Sequence, residues 1–173
     1  MMSLEFEIPM VSMILILLLF FIYILKPKVK LIENKYYLII LIFSLIETAL
    51  GFIAHLLCAI KGFDYVVANY YTFFNILNKF IGLSFIGIFC YMLVYILAIS
   101  YKDFKKKVKM INITSIIFLL SCFALLCFTN IELVEVGNVT NVRGPTIMIS
   151  YAVVAVLLLL NLIITLCNAK KID

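Results

Sequence analysis

The chain has 173 residues, of which 66% are hydrophobic and 13% are charged, and its formal net charge is +5. So few polar residues cannot cover the core of a water-soluble domain, and the continuous apolar runs differ from the short alternating segments of a membrane β-barrel. The lysines lie between the apolar segments, which indicates membrane topology rather than nucleic-acid binding. We therefore predict an all-α, polytopic membrane protein that forms a single transmembrane bundle.

Five apolar segments are predicted to cross the bilayer as helices, each long enough for about 30 Å of hydrocarbon. The first lacks the basic flank and the small-residue cleavage site of a signal peptide, so we expect an uncleaved anchor. The segment at residues 61–79, rich in Tyr and Phe, is interpreted as a loop between the second and third helices. The predicted spans cover residues 8–25, 36–60, 80–100, 110–128 and 146–167.

The distribution of basic residues predicts the orientation of the bundle. The first and third loops and the C-terminal tail hold four, five and two of the 14 Lys and Arg residues, whereas the second and fourth loops hold Lys61, Lys79 and Arg143. The positive-inside rule then places the N-terminus outside and the C-terminus in the cytoplasm. Heavy use of Ile, Lys and Asn indicates a low-GC bacterium, so the expected location is a bacterial cell membrane.

Two ionisable residues, Glu47 and His55, lie within the second predicted span. Glu47 is about 16 Å along the helix from Tyr36, near the bilayer midplane, where a carboxyl group is costly unless it is neutral, paired or hydrated. It is either a protonated packing group or a site for a ligand, ion or proton. His55 is either a satisfied interior group or a pH-responsive one. A metal site requires three or four ligands and is not predicted.

Small and polar residues follow one face of three predicted helices. Such residues let neighbouring membrane helices approach closely and exchange hydrogen bonds, so these faces are expected to point into the bundle. The predicted helix-packing residues are Ser44, Thr48 and Gly51 on the second helix, Ser84 and Gly87 on the third, and Ser150 and Asn161 on the fifth.

The polar segment between the fourth and fifth helices predicts a small extracellular β-hairpin. Gly137-Asn138 separates two runs with β-branched residues and is typical of a type II′ turn. Gly144-Pro145-Thr146 then opens the fifth helix, because Pro is favourable in a first helical turn. A disordered polar loop is the alternative interpretation.

The sequence has no phosphate-binding Gly-rich loop and no HExxH, GxSxG or CxxC motif. These motifs mark common nucleotide, metalloprotease, hydrolase and redox sites. No inter-helix segment is long enough for a catalytic domain. We therefore predict neither catalytic residues nor a cofactor in this chain.

Three further features are the basic loop that leads into Asn34-Lys35-Tyr36-Tyr37, the lysine-rich loop after the third helix, and Arg143-Gly144-Pro145-Thr146 ahead of Tyr151. In these features the chain resembles the N-terminal membrane region of sensor proteins from low-GC bacteria, mostly sensor histidine kinases, with similar regions ahead of diguanylate cyclases. The resemblance implies that these residues are a fragment of a longer, dimeric receptor. It carries over no catalytic residue, because the phospho-accepting His and the ATP-binding motifs belong to a later region.

The predicted function is the membrane-embedded sensory input module of a bacterial signal-transduction receptor. The outer half of the bundle would sense a small ligand, a peptide or a bilayer property and would transmit it as a shift between two helix packings. A small transport subunit, such as the substrate-binding component of a transporter, and a non-catalytic membrane partner protein are the alternatives. The candidate sensing residues are Glu47, His55, Tyr91, Glu132, Glu135 and Arg143.

Overall fold

The computed structural model describes residues 4–25, 32–100, 104–136 and 139–169. Within these ranges, helices α2 to α5 are each long enough and apolar enough to cross a membrane, whereas the apolar part of α1, Met10–Leu25, is shorter. The fold is thus largely helical, with the composition of a membrane protein. The elements are α1 (Leu4–Leu25), α2 (Ile32–Lys61), α3 (Phe63–Ser100), α4 (Phe104–Cys127), β1 (Glu132–Val136), β2 (Val139–Arg143) and α5 (Pro145–Ala169).

Gly62 joins α2 to α3 in a tight turn. Its φ of +80° lies in the left-handed region, which glycine adopts without a steric penalty from a Cβ atom. Its amide donates a hydrogen bond to the carbonyl of Cys58 at 3.0 Å, and the amide of Val66 donates to the carbonyl of Gly62 at 3.2 Å. Because only Gly62 separates α2 from α3, the two helices run antiparallel along each other.

The prediction of a loop at residues 61–79 was wrong, because α3 begins at Phe63 and continues for 38 residues. Neither Gly nor Pro occurs in residues 63–81, so no helix-breaking residue interrupts this segment. Val66 and Phe74, 0% and 1% exposed, pack against the end of α2. This burial outweighs the modest helix propensity of the aromatic and Asn residues in the segment.

Helix α3 is the centre of the bundle, because α2, α4 and α5 all pack on it, while α1 packs on α2. At the lysine-rich end, Tyr36 on α2 is 1% exposed and donates a hydrogen bond to Asn112 Oδ1 on α4 at 2.9 Å. Its ring meets that of Phe104 edge-on, at 5.8 Å between centroids. The main apolar core lies between α3, α4 and α5 and contains Ile86, Cys90, Cys122, Leu126, Val154 and Leu157.

Helices α2 and α3 extend past α4 and α5 at the end opposite the lysines. Lys79 Nζ donates to the carbonyl of Cys127, the last residue of α4, at 3.2 Å, and Gly82 lies beside Ser150 near the start of α5. Residues 63–78 therefore project beyond α4 and α5 by about 24 Å at 1.5 Å per residue. We call the projecting ends of α2 and α3 (residues 51–78), together with strands β1 and β2, the head.

The β-hairpin lies against the projecting helices. β1 and β2 pair antiparallel, with Glu132 opposite Arg143. Ile131, just before β1, is buried against Val66 and Phe74, and the Tyr71 hydroxyl donates to its carbonyl at 2.7 Å. The strands occupy the segment where the sequence predicted a hairpin, whereas the turn predicted at residues 137–138 lies outside the described residues.

Gly144 connects the hairpin to α5. Its φ is +112°, and a Cβ atom on it would lie 3.0 Å from the carbonyl oxygen of Asn130 and 3.2 Å from the amide of Glu132. Its carbonyl accepts hydrogen bonds from the amides of Ile147 and Met148. Glycine is therefore required for two reasons at the point where α5 begins.

Candidate functional site

Glu47 lies where α2, α3 and α5 meet, and it lines a small pocket of about 110 Å³. Its side chain is half-buried. The wall is mostly apolar, but the hydroxyl-bearing residues Ser150 and Tyr151 line the same space as the carboxyl group. The remaining lining residues of this Glu47 pocket are Ile81, Gly82, Phe85 and Ile147.

Glycines on α3 bring the helices around the Glu47 pocket into close contact. A Cβ atom on Gly82 would lie 2.6 Å from Ser150 Oγ, and one on Gly87 would lie 2.7 Å from the ring of Phe43. Gly87 was among the predicted packing residues, whereas Gly82 was not. Enrichment of glycine at close contacts between membrane helices could have indicated it.

A short series of hydroxyl groups leads from the end of α4 to the Glu47 pocket. The hydroxyls of Thr129 and Thr146 lie 2.9 Å apart and share a hydrogen bond. Ser150 Oγ donates to the carbonyl of Thr146 at 2.9 Å, and Ser150 lines the pocket with Glu47. Thr146 and Ser150 are both buried. The start of α5 therefore places polar groups between the base of the head and the wall of the Glu47 pocket.

The dimensions of the Glu47 pocket limit its chemistry. Sites for drug-sized ligands have volumes of about 300–1,000 Å³, so a pocket of about 110 Å³ fits one or a few water molecules, a proton or a small cation. A carboxyl group beside hydroxyl groups in an otherwise apolar wall offers oxygen atoms to such an occupant.

Tyr91 does not belong to the same site as the other candidate sensing residues. Its ring stacks with those of Tyr36 and Phe43, at centroid distances of 6.4 and 5.8 Å, toward the lysine-rich end. About 28 Å of helix separates Tyr36 from His55 at 1.5 Å per residue. Tyr91 therefore lies apart from the head, and its role in sensing stays a prediction.

The head contains the other candidate sensing residues. His55 is half-buried on the projecting part of α2, about 12 Å along the helix from Glu47. Glu132 and Arg143 are exposed and directly opposite each other in the strand pair, and Glu135 is opposite Thr140 in the backbone register. Among the side chains described, no group of three or more His, Cys, Asp and Glu residues is close enough to hold a metal ion.

The remaining predicted packing residues differ in whether their hydrogen bonds cross to another helix or stay within their own. Asn161 is 3% exposed and its Nδ2 donates across the helices to the carbonyl of Phe89 at 3.3 Å, and Ser84 is also buried. Thr48 Oγ1 instead donates within its own helix, to the carbonyl of Ser44 at 2.8 Å.

Gly51 is not a point of close helix approach. A Cβ atom added to it would meet no atom within 4 Å. It lies at the start of the projecting part of α2, where the space that a side chain would occupy is open. The small-residue face predicted on α2 therefore does not mark a contact between helices at Gly51.

Comparison of the chain with protein-family models, curated proteins and solved structures yields no match. The interpretation of the site therefore depends on its own geometry.

Proposed function

We propose that this chain is the membrane-embedded sensory input module of a bacterial signal-transduction receptor, of the sensor histidine kinase or diguanylate cyclase type. In this proposal it crosses the plasma membrane five times, with its N-terminus outside and its C-terminus in the cytoplasm, as the positive-inside rule favours. The head then faces the extracellular side and the lysine-rich helix ends face the cytoplasm. The full-length receptor acts as a homodimer.

The position of the Glu47 pocket supports this proposal most directly. It lies at the junction of three helices that are packed so closely that Gly82 leaves no room for a methyl group beside Ser150. Tightly packed interfaces switch between discrete arrangements rather than deforming continuously. A change in protonation or occupancy of the pocket would favour one arrangement, and the hydroxyl series through Thr146 would couple that change to the head.

The alternative of a substrate-binding transport subunit would use the Glu47 pocket only for a small cation. A larger transported substrate would require a cavity several times larger than this pocket. The small volume favours a site that senses a proton, water or a small cation and alters helix packing.

The proposal is tested by substituting Glu47→Gln in the full-length product of the gene. Because a coupling between two sites typically changes an equilibrium by about fivefold or more, we expect basal or stimulated output to shift by at least that factor. Phosphorylation or cyclase activity is measured in membrane vesicles across pH. Thr48→Val is the matched control, because Thr48 is equally half-buried on the same helix but its hydroxyl bonds within that helix.

Wild-type output from Glu47→Gln at every pH and stimulus tested would show that Glu47 is structural. A gene that encodes no kinase or cyclase domain after Asp173 would refute the receptor proposal itself.

A further inference from the structure

A second and larger cavity forms a groove between α4 and α5, with α3 as its floor. Its volume is about 430 Å³ and its wall is almost entirely apolar, with Leu97 on α3, Met110 and Phe118 on α4, and Leu160 on α5 among its lining residues. From Met110 to Phe118 the groove follows α4 for about 12 Å at 1.5 Å per residue. We call this cavity the α4–α5 groove.

Positive charge lies at the end of the α4–α5 groove nearest the start of α4, which we call its mouth. Lys106 and Lys107 precede Met110 and Ile111 by four residues each, and residues four apart lie on the same face of a helix. Both lysines are exposed, and both Met110 and Ile111 line the groove. One face of α4 therefore carries Lys106 and Lys107 and, one turn later, the groove-lining residues Met110 and Ile111.

A further feature favours an anion at this mouth. Helix α4 begins at Phe104, so the positive end of the helix dipole lies next to the lysines. Lys109 is also exposed but has Ile113 as its neighbour four residues later, and Ile113 is not a lining residue of the groove. Among the lysines of α4 whose side chains the structure describes, Lys106 and Lys107 are therefore the ones on the face of the groove.

We propose that the α4–α5 groove is a binding site for an anionic phospholipid. One acyl chain lies along the apolar groove, and the phosphate group is held by Lys106 and Lys107 at the start of α4. The combination of an apolar slot with a cationic mouth matches both ends of such a lipid, whereas an apolar helix would match the slot alone. This site is independent of the proposed signalling function.

The absence of tryptophan from the chain makes a direct test simple. Phe118→Trp places a single fluorophore in the groove of the full chain, which is reconstituted in phosphatidylcholine vesicles. Either phosphatidylglycerol or phosphatidylcholine with brominated acyl chains is then titrated over the same range of mole fractions. Basic residues near an anionic membrane surface contribute a factor of about five each, so we expect brominated phosphatidylglycerol to quench this tryptophan at a severalfold lower mole fraction.

Two control variants identify the source of the preference. Leu120→Trp is at nearly the same depth on α4 but on a face that is 62% exposed, and it should be quenched equally by both lipids. In the Phe118→Trp background, Lys106→Gln with Lys107→Gln should abolish the preference for phosphatidylglycerol, whereas Lys109→Gln should preserve it. Leu160→Trp, on the α5 wall of the groove, provides the same measurement if Phe118→Trp impairs folding.

Three outcomes would overturn the lipid site. Equal quenching by the two lipids at both groove positions would indicate ordinary annular lipid only. A preference that survives Lys106→Gln with Lys107→Gln would place the headgroup elsewhere. If both lipids quench Leu120→Trp but neither quenches tryptophan at the groove positions, then protein, such as a second copy of the chain, closes the groove.

Discussion

At the scale of single residues, similar glycines have different roles according to what lies beside them. Gly87 and Gly51 are both helical glycines within apolar sequence, yet only Gly87 has a neighbour, the Phe43 ring, in the space that a side chain would occupy. The sequence alone placed both residues on packing faces. The distinction depends on the position of a second helix, which no pattern within one helix specifies.

We predict that Gly87→Ala destabilises the bundle whereas Gly51→Ala does not. The new methyl group at residue 87 must displace an aromatic ring, and overpacking of this kind costs about 1–3 kcal/mol. At residue 51 the methyl group enters open space, and alanine has the better helix propensity by up to about 1 kcal/mol. Unfolding of both variants in detergent, followed by circular dichroism, measures the difference. Equal stability of the two variants would contradict the observed packing of α2 on α3.

The Glu47 site was predictable only in part. The cost of a carboxyl group within an apolar span identified Glu47 from the sequence, but its neighbours Gly82, Ser150 and Tyr151 come from two other helices. Their arrangement depends on the register between helices, which is set by contacts such as that of Gly82 with Ser150. A single sequence shows which face is small and polar but not which residues on it will meet.

At the scale of elements, α3 shows what the hydropathy of the sequence could predict and what it could not. Hydropathy identified an apolar run within α3, because about 20 apolar residues are long enough to cross the hydrocarbon of a bilayer. It did not identify residues 63–79 as helix, because that extension is stabilised by burial against α2 and Ile131, contacts that hydropathy does not detect. The same extension supports the β-hairpin, so the head depends on contacts between distant parts of the chain.

We predict that Tyr71→Phe loosens the hairpin without disturbing the helices. The substitution removes the hydrogen bond from the Tyr71 hydroxyl to the carbonyl of Ile131, and such a bond contributes about 0.5–1.5 kcal/mol. Amide hydrogen exchange at Glu132–Val136 should accelerate by about two- to tenfold, with exchange in α4 unchanged. Tyr70→Phe, at an exposed position one residue earlier, is the control and should leave the strands unaffected. Unaltered exchange in the Tyr71→Phe strands would show that the ring, not the hydroxyl, holds the hairpin.

At the scale of the whole molecule, the two ends of the bundle differ in both charge and shape. One end has the lysines at the start of α4 and the aromatic contacts of Tyr36, and the other has the projecting head. Helix α3, at 38 residues, is about 57 Å long and cannot fit within roughly 30 Å of hydrocarbon. A large part of α3 must therefore lie outside the membrane, and the lysine distribution favours the outer side for the head.

This orientation predicts which engineered cysteines an impermeant maleimide reaches in intact cells. In a background without the five native cysteines, Glu132→Cys in the head should be labelled, and Lys107→Cys should be labelled only after the cells are permeabilised. Ser3→Cys tests whether α1 crosses the membrane. With the start of α2 in the cytoplasm, residue 3 is labelled from outside only if α1 crosses the membrane once. Labelling of Lys107→Cys in intact cells would place the lysines outside and reverse the sensory orientation. The anionic lipid would then have to come from the outer leaflet, since the α4–α5 groove opens at the same end as those lysines.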